Sequence, residues 1–279
     1  MSTILHPVMR YHGAKFRLAP WVMSFFPEHY TYVEPFGGAA GVLLQKSRSL
    51  SEVYNDLDGD IVNVFRVLQD RALADELINK LLVTPYARAE FNISYEPTED
   101  IVEQARRTLI RAHQGFGSAG ATKQRTGFRI DSARKYGTAA HLWAKYPAQI
   151  AAFVDRLQAV VIENKAAGEI IDNHDREDTL FFVDPPYVQS TRVTRSGGYY
   201  NHEMSDDDHI KLIDQLLQVS GFVVLSGYDS EMYNDMLAGW DKRSTTARIS
   251  AGRGAGIRTE NIWLNPACSA LQQQSQMFI

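Results

Sequence analysis

Short apolar runs and stretches of helical spacing alternate along the chain. TYVEPF (Thr31–Phe36) reads as a strand ending in a glycine-rich turn, and AGVLLQKS after it reads as the start of a helix. SEVYND (Ser51–Asp56) is a second strand, and DIVNVFRVLQD (Asp60–Asp70) carries its apolar residues at helical spacing. Strand, helix, strand, helix implies a parallel sheet with crossover helices. From Arg71 to about Leu157 the pattern is helical and turn-rich, with no strong buried strand. Inside that stretch QGFGSAGATKQRTGFR is rich in glycine and poor in large aliphatics, as an exposed loop or hairpin would be. Strands return at AVVIEN (Ala159–Asn164) and TLFFVDPP (Thr179–Pro186), a helix follows from about Asp206 to Val219, and GFVVLSG (Gly221–Gly227) is another strand. Asp229 or Ser230 is placed to cap a further helix. RSTTARIS and IRTENIWLN then predict a closing antiparallel hairpin over AGRGAG. The pattern is that of a doubly wound α/β fold formed by residues 1–70 and 155–279. A mostly helical insertion, 71–154, interrupts it and carries a hairpin loop at about 115–135.

Composition adds little to that picture until charge is mapped onto it. The 279 residues are 44% hydrophobic and 22% charged, a globular balance. No apolar run approaches the ~18–20 residues of a membrane span. MSTILHPVMRYHGAK lacks the apolar core and small-residue cleavage site of a secretion signal. The single cysteine, Cys268, leaves no internal disulfide framework, so a reducing cytosol is expected. Net charge is −4, yet between Gln104 and Lys145 nine basic residues face one acid, Asp131. A second basic stretch, Lys242 to Arg258, holds Lys242, Arg243, Arg248, Arg253 and Arg258 with no acid. Two such stretches in an acidic chain point to a polyanionic partner.

Four short motifs carry the candidate chemistry. YHGAKFRL (Tyr11–Leu18) offers Gly13 for a tight turn and Lys15 as a cation for a ligand carboxylate. VEPFGGAAG (Val33–Gly41) is a glycine-rich strand-to-helix turn that lets the backbone approach a nucleotide-like ligand. Its spacing is not the G-x-G-x-x-G of dinucleotide binders, which suits an uncharged adenosine group better than a pyrophosphate. Asp56, at the end of the next strand, stands where acids bind ribose hydroxyls; it or Asp58 caps the following helix. FFVDPPY (Phe181–Tyr187) is the most specific: an apolar strand ends in an acid and two prolines, which lack N–H groups and have fixed φ. The Asp184 carboxylate and the Pro185 carbonyl can accept both N–H bonds of an exocyclic amine and turn its lone pair towards an electrophilic methyl. Pro186 stiffens the loop, and Tyr187 supplies a stacking face worth ~1–3 kcal/mol. Asp206-Asp207-Asp208-His209 reads as a helix start rather than a metal site, since acids favour a helix N-terminus. The eight histidines show no zinc-like spacing, so no metal is expected.

These motifs, in this order, resemble the Dam-like (D12 class) adenine-N6-specific DNA methyltransferases. YHGAK resembles that family's N-terminal cofactor motif, EPFGGAAG its glycine-rich motif, NDLDGD its ribose-binding motif and DPPY its catalytic motif; RTENIW resembles a strand typical of the family. The likeness covers roughly Met9–Arg66 and Ala159–Asn265. Ala14, where glycine is common, and Ala39-Ala40 depart from it. The resemblance implies a Rossmann-like methyltransferase sheet with an inserted DNA-recognition domain, using S-adenosylmethionine and releasing S-adenosylhomocysteine. Tyr11, Gly13, Lys15, Glu34, Phe36, Gly37, Asp56 and Asp184 would then bind the cofactor. Asp184, Pro185, Pro186 and Tyr187 would hold a flipped-out adenine of double-stranded DNA. Arg125 and Arg129 are the candidates for guanine contact, with phosphate binding the equal alternative. Arg106, Arg107 and Arg111 are expected on phosphates, and Lys123, Arg134 and Lys135 complete the basic face. A cytosine-N4 or RNA amino-methyltransferase and a non-catalytic DNA-binding protein stay open as alternatives. The resemblance further implies a cytosolic or nucleoid location in a bacterium, or a phage source. Oligomeric state is open, with a monomer as the default.

Overall fold

The computed structural model describes residues 4–118, 120–121, 125–130, 137–192, 200–251 and 254–277. In chain order the elements are α1 (Ala19–Met23), β1 (Thr31–Glu34), β2 (Ser51–Asn55), α2 (Gly59–Gln69), α3 (Arg71–Leu82), α4 (Arg88–Ile93), α5 (Ile101–Gln114) and α6 (Ala139–Lys145). A short 3₁₀ turn, Pro147–Gln149, leads into α7 (Ile150–Leu157), β3 (Val160–Glu163), α8 (Ala167–His174), β4 (Thr179–Val183) and α9 (Asp206–Leu216). The chain then runs through β5 (Phe222–Gly227), α10 (Glu231–Met236), β6 (Asp241–Ala251), β7 (Gly254–Leu264) and α11 (Pro266–Met277). Seven strands form one sheet in the order β3-β2-β1-β4-β5-β7-β6. β3, β2, β1, β4 and β5 are parallel; β7 pairs antiparallel with β5 and with β6.

Alternation along the strands sorts their side chains onto two faces. Tyr32, Tyr54, Leu180, Phe182 and Val224 join one buried cluster with helices α2, α3, α5 and α7. Val33, Val53, Phe181, Val183 and Val223 join the other, under α8, α9 and α10. All five residues of β4 are buried, as a central strand covered on both faces requires. The helices of 71–154 share the first cluster with the sheet: Leu77 and Leu109 pack together with Phe65 and Phe153. No seam in that cluster marks either end of the expected insertion among the described residues. A buried ion cluster ties the layer to the sheet, Arg156 meeting Glu52 at 2.6 and 2.9 Å and Lys46 meeting the same carboxylate at 2.8 Å.

One detail differs from the sequence expectation. The stretch after the glycine-rich turn is a series of tight turns rather than a regular helix. Ala40 has φ 51°, outside the helical region, and the Glu34 carboxylate takes the Leu43 N–H at 2.7 Å. Of the two candidate caps before α10, Ser230 does the work, accepting from Tyr233 N at 3.2 Å. Asp58 likewise caps α2, accepting from Asp60 N, which leaves Asp56 for another role.

β1 lies between β2 and β4, so the chain winds away from it in both directions, and the carboxyl ends of these strands part to leave a crevice.

Candidate active site

A cavity of about 310 Å³ opens at that crevice. Tyr11, Gly13, Lys15, Glu34, Phe36, Gly37, Asp56 and Asp184, the eight residues expected at a cofactor, all line it, and so does Pro186. They arrive from four places, the loop before α1 supplying Tyr11, Gly13 and Lys15 and the turn after β1 supplying Phe36 and Gly37. Glu34 closes β1, Asp56 follows β2, and Asp184 follows β4. The glycine-rich turn is shaped by close approach: a Cβ on Gly37 would run into the Tyr54 ring. One on Gly38, at φ +48°, would lie 2.9 Å from the Tyr11 ring.

The lining is rich in acid. Glu34, Asp56, Asp58, Asp184, Glu203 and Asp208 face Lys15 and Lys165. Burial raises the Asp56 carboxyl to about 6, against the pull of its bonds from Asp58 N (2.9 Å) and Gly38 N (2.8 Å). Burial likewise raises Glu34 to about 7, although Tyr32 Oη donates to it at 2.6 Å. Burial also pushes Asp184 above the usual carboxylate range; the Lys15 ammonium works against that rise.

Lys15 does not stand free for a ligand carboxylate. Its Nζ lies 2.9 Å from Asp184 Oδ1 and 3.1 Å from Oδ2, and donates to the Gly13 carbonyl at 2.7 Å. It also sits 4.7 Å from the centroid of the Tyr187 ring. Burial opposes its charge, yet Asp184 and Glu260 together raise its pKa above the ordinary lysine value. Lys15 therefore stays protonated and joins the first motif to the fourth.

The Tyr187 hydroxyl donates to Glu260 Oε2 at 2.9 Å and lies 2.8 Å from Ser226 Oγ. Tyr228 packs edge-on to its ring at 4.5 Å between centroids. Behind the loop, His209 is fully buried with its Nδ1 2.9 Å from Tyr233 Oη, and desolvation lowers it to about 4.

Ser226, Glu260 and the segment Tyr200–Met204 escaped the sequence reading. Tyr200 donates to the His12 carbonyl at 3.2 Å, Asn201 donates to Asp58 at 2.6 Å, and Glu203 pairs with Arg192 at 2.7 Å. The segment thus straps across the cavity mouth. Only its polar and aromatic character, directly before a capped helix, hinted at this.

Residues 11–249 match the family described as D12 class N6 adenine-specific DNA methyltransferase. The chain belongs to that family. A curated relative, the modification methylase LlaI of Lactococcus lactis subsp. lactis, is 25% identical over 196 residues, covering 68% of this chain and 31% of that protein. The chain thus spans about a third of the length of that relative. Among solved structures, precorrin 8W decarboxylase from Methanobacterium thermoautotrophicum aligns with 89% of this chain and 88% of its own, at 10% identity and a TM-score of 0.33. That likeness is too slight to bear on fold or function.

The basic face of this D12 chain is smaller than the charge count suggested. Arg106 binds Glu103 at 2.7 Å and Glu90 at 3.0 Å, Arg107 binds Glu103 at 2.8 Å, and Arg111 binds Asp60 at 3.1 Å. Their side chains are only 13–15% exposed. The hydrogen bonds from Arg106 and then Arg107 hold Glu103 down at about 2, against the effect of burial. These guanidinium groups are paired with carboxylates within the protein, which counts against the phosphate contacts expected of them. Arg129 is 6% exposed, so its side chain does not reach a base edge from where it lies. Arg125 is exposed, over the Tyr95 ring at 5.1 Å. It stands on a loop closed by the Gly115–Phe128 bridge and by Phe116 N donating to Gly127 O at 2.7 Å. Lys123, Arg134 and Lys135 lie outside the described residues. In the second basic stretch, Lys242 pairs with Asp229 and Arg243 with Asp241. Asp208 caps α9 reciprocally with Ser205, and no group of three or more potential metal ligands occurs among the described residues. Among the same residues no helix is long and apolar enough to cross a membrane.

Proposed function

We propose that this chain transfers a methyl group from S-adenosylmethionine to the N6 amine of an adenine flipped out of double-stranded DNA, in the bacterial cytosol. The observation that carries the reading is the position of Asp184-Pro185-Pro186-Tyr187. The tetrad leaves β4 at the switch point of the sheet, with Asp184 in the wall of an acid-rich cavity built by the other three motifs. Six carboxyl groups against two lysines suit a cationic ligand and disfavour a pyrophosphate. The residues therefore fit S-adenosylmethionine, whose bound sulfonium would supply an electrophilic methyl.

Asp56 has one lone-pair direction on each oxygen beyond its two main-chain bonds, and these can accept ribose hydroxyls. Phe36 and Phe182 offer apolar walls for an adenine ring. Asp184 and the Pro185 carbonyl accept the two N–H bonds of the target amine and hold them out of the planar arrangement, so that the lone pair leaves conjugation with the ring and points at the methyl. Tyr187 stacks against the base, which offsets part of the ~few kcal/mol cost of unstacking it from the duplex. Lys15 counters the desolvation of Asp184 and so favours the ionised, acceptor-only carboxylate. The protein's contribution is orientation of two bound reactants. Arg125, with Lys123, Arg134 and Lys135, supplies the contacts to DNA.

The test is to incubate the purified chain with labelled S-adenosylmethionine and DNA from a methylation-free host, then identify the modified nucleoside. N6-methyladenine, absent with Asp184→Ala, is expected. N4-methylcytosine as sole product, or undiminished turnover by Asp184→Ala, would overturn the reading.

A further inference from the structure

Glu260 is a carboxylate on β7, 8% exposed, three residues from the indole of Trp263 that packs in the second cluster. Burying a carboxyl costs stability unless a partner satisfies it. Burial raises its pKa; the Lys15 charge and the Tyr187 hydrogen bond act against that rise. Its hydrogen-bond partner is the hydroxyl of Tyr187, 73 residues away in sequence, whose one hydrogen it receives at 2.9 Å. The Ser226 hydroxyl on β5 lies 2.8 Å from the same oxygen. β5 and β7 are paired at this point, Ser226 opposite Ile262 and Gly227 opposite Asn261. Two neighbouring strands thus grip the far end of one ring.

The ring needs such a grip. Pro185 and Pro186 carry no N–H through which the start of the loop could be anchored. The Tyr187 carbonyl is held by Arg192 Nε at 2.7 Å, but that bond fixes the main chain and leaves both side-chain torsions free. Tyr228 lies edge-on to the ring and blocks one direction of swing.

We propose that Glu260 is a positioning residue for methyl transfer: by accepting the Tyr187 hydroxyl beside Ser226, it fixes the ring face against which the target base stacks. The inference rests on the proposed function and names the group that preorganises its stacking surface.

The test compares Glu260→Ala, Glu260→Gln, Tyr187→Phe and the Glu260→Ala/Tyr187→Phe pair in the full chain. Labelled S-adenosylmethionine and DNA from a methylation-free host are the substrates. Glu260→Ala should lower kcat by about tenfold with KM for DNA changed less than about twofold, because phosphate contacts set KM and the orientation of the flipped base sets kcat. Glu260→Gln should keep at least about half of kcat, since its amide oxygen still accepts the phenol hydrogen. Tyr187→Phe should match Glu260→Ala, and the pair should fall no more than about twofold below either single variant, as expected of groups in one interaction. Titration calorimetry should show cofactor affinity within about twofold of wild type throughout, which separates loss of positioning from loss of fold. Losses that multiply, a wild-type kcat in Glu260→Ala, an equal loss in Glu260→Gln, or weakened cofactor binding would each overturn the inference. A wild-type chain that methylates no adenine would overturn the parent reading instead, and this one with it.

Discussion

Replacing Asp184 by alanine should destabilise the fold as well as stop catalysis. Lys15 and Asp184 have side chains 6% and 16% exposed and meet at 2.9 Å, so little water screens the pair. Removing one partner of a buried pair costs ~3–5 kcal/mol, chiefly because the other charge stays buried. Glu260 remains near enough to raise the Lys15 pKa, which places the expected loss at the lower end, ~3 kcal/mol. The sign of the pH dependence follows. In the wild type the folded pKa of Lys15 lies above its unfolded value of ~10.4, so its stabilisation is complete below pH ~10 and is lost as pH rises through the folded pKa. Without Asp184, burial dominates and draws Lys15 below ~10.4; the variant then loses stability as pH falls below that value. Urea denaturation at pH 7 and pH 9.5 should show wild type nearly level and the variant weaker at pH 7. Asp184→Ala combined with Lys15→Met should recover most of the loss, because no charge is left buried. A single variant as stable as wild type at pH 7, or one equally weakened at both pH values, would refute the ion-pair account.

Further outcomes follow from the same geometry. Gly38→Ala places a Cβ 2.9 Å from the Tyr11 ring at φ +48°, and should weaken S-adenosylmethionine binding by roughly tenfold in titration calorimetry, since the turn must shift. Asp56 titrates at about 6 rather than 3.8. Its protonated form therefore stabilises the ligand-free fold fully below pH ~4, and that contribution is lost as pH rises through about 6. Ligand hydroxyls bind the charged form, so cofactor affinity should run the other way, increasing from pH 5 to pH 7.5 and becoming level in Asp56→Asn. Arg125→Ala should weaken DNA binding and reduce its salt slope by about 1, whereas Arg106→Ala should leave the slope unchanged and lower stability by ~1 kcal/mol. Equal salt slopes for the two variants would show that the exposed arginine is not on the phosphates.

The parts of the site that were legible in the sequence are those whose chemistry is contiguous. An apolar strand broken by Asp184-Pro185-Pro186 can only end at a sheet edge, and Gly37 and Gly38 mark a backbone too close to its neighbours for a side chain. Glu260 and Ser226 were not legible, because they reach Tyr187 through strand pairing and neither stands in a motif of its own. Asp56 and Asp58 could be told apart only by which N–H each accepts. The carboxylate partners of the α5 arginines escaped the charge count for a simple reason: charge counted along the chain from Gln104 begins one residue after Glu103, and the other partners, Glu90 and Asp60, lie on α4 and α2. The expected helix after Gly41 gave way to tight turns where Ala40 takes φ 51°, outside the helical region.

The N-terminal arm is gripped from the helical region. His113 Nε2 lies 3.2 Å from the Val8 carbonyl, Tyr146 donates to the same oxygen at 2.7 Å, and His12 Nδ1 lies 3.2 Å from Ser118 Oγ. The arm that brings Tyr11 and Lys15 to the cavity is therefore moored to α5, to the turn after α6 and to the loop bearing Arg125. Exchanging residues 71–154 as a cassette, on the proposal that they set DNA specificity, would remove those moorings along with the loop bearing Arg125. A transplant that keeps His113, Ser118 and Tyr146 in register retains the hold on the arm that carries Tyr11 and Lys15; one that ignores them releases that arm from the cavity.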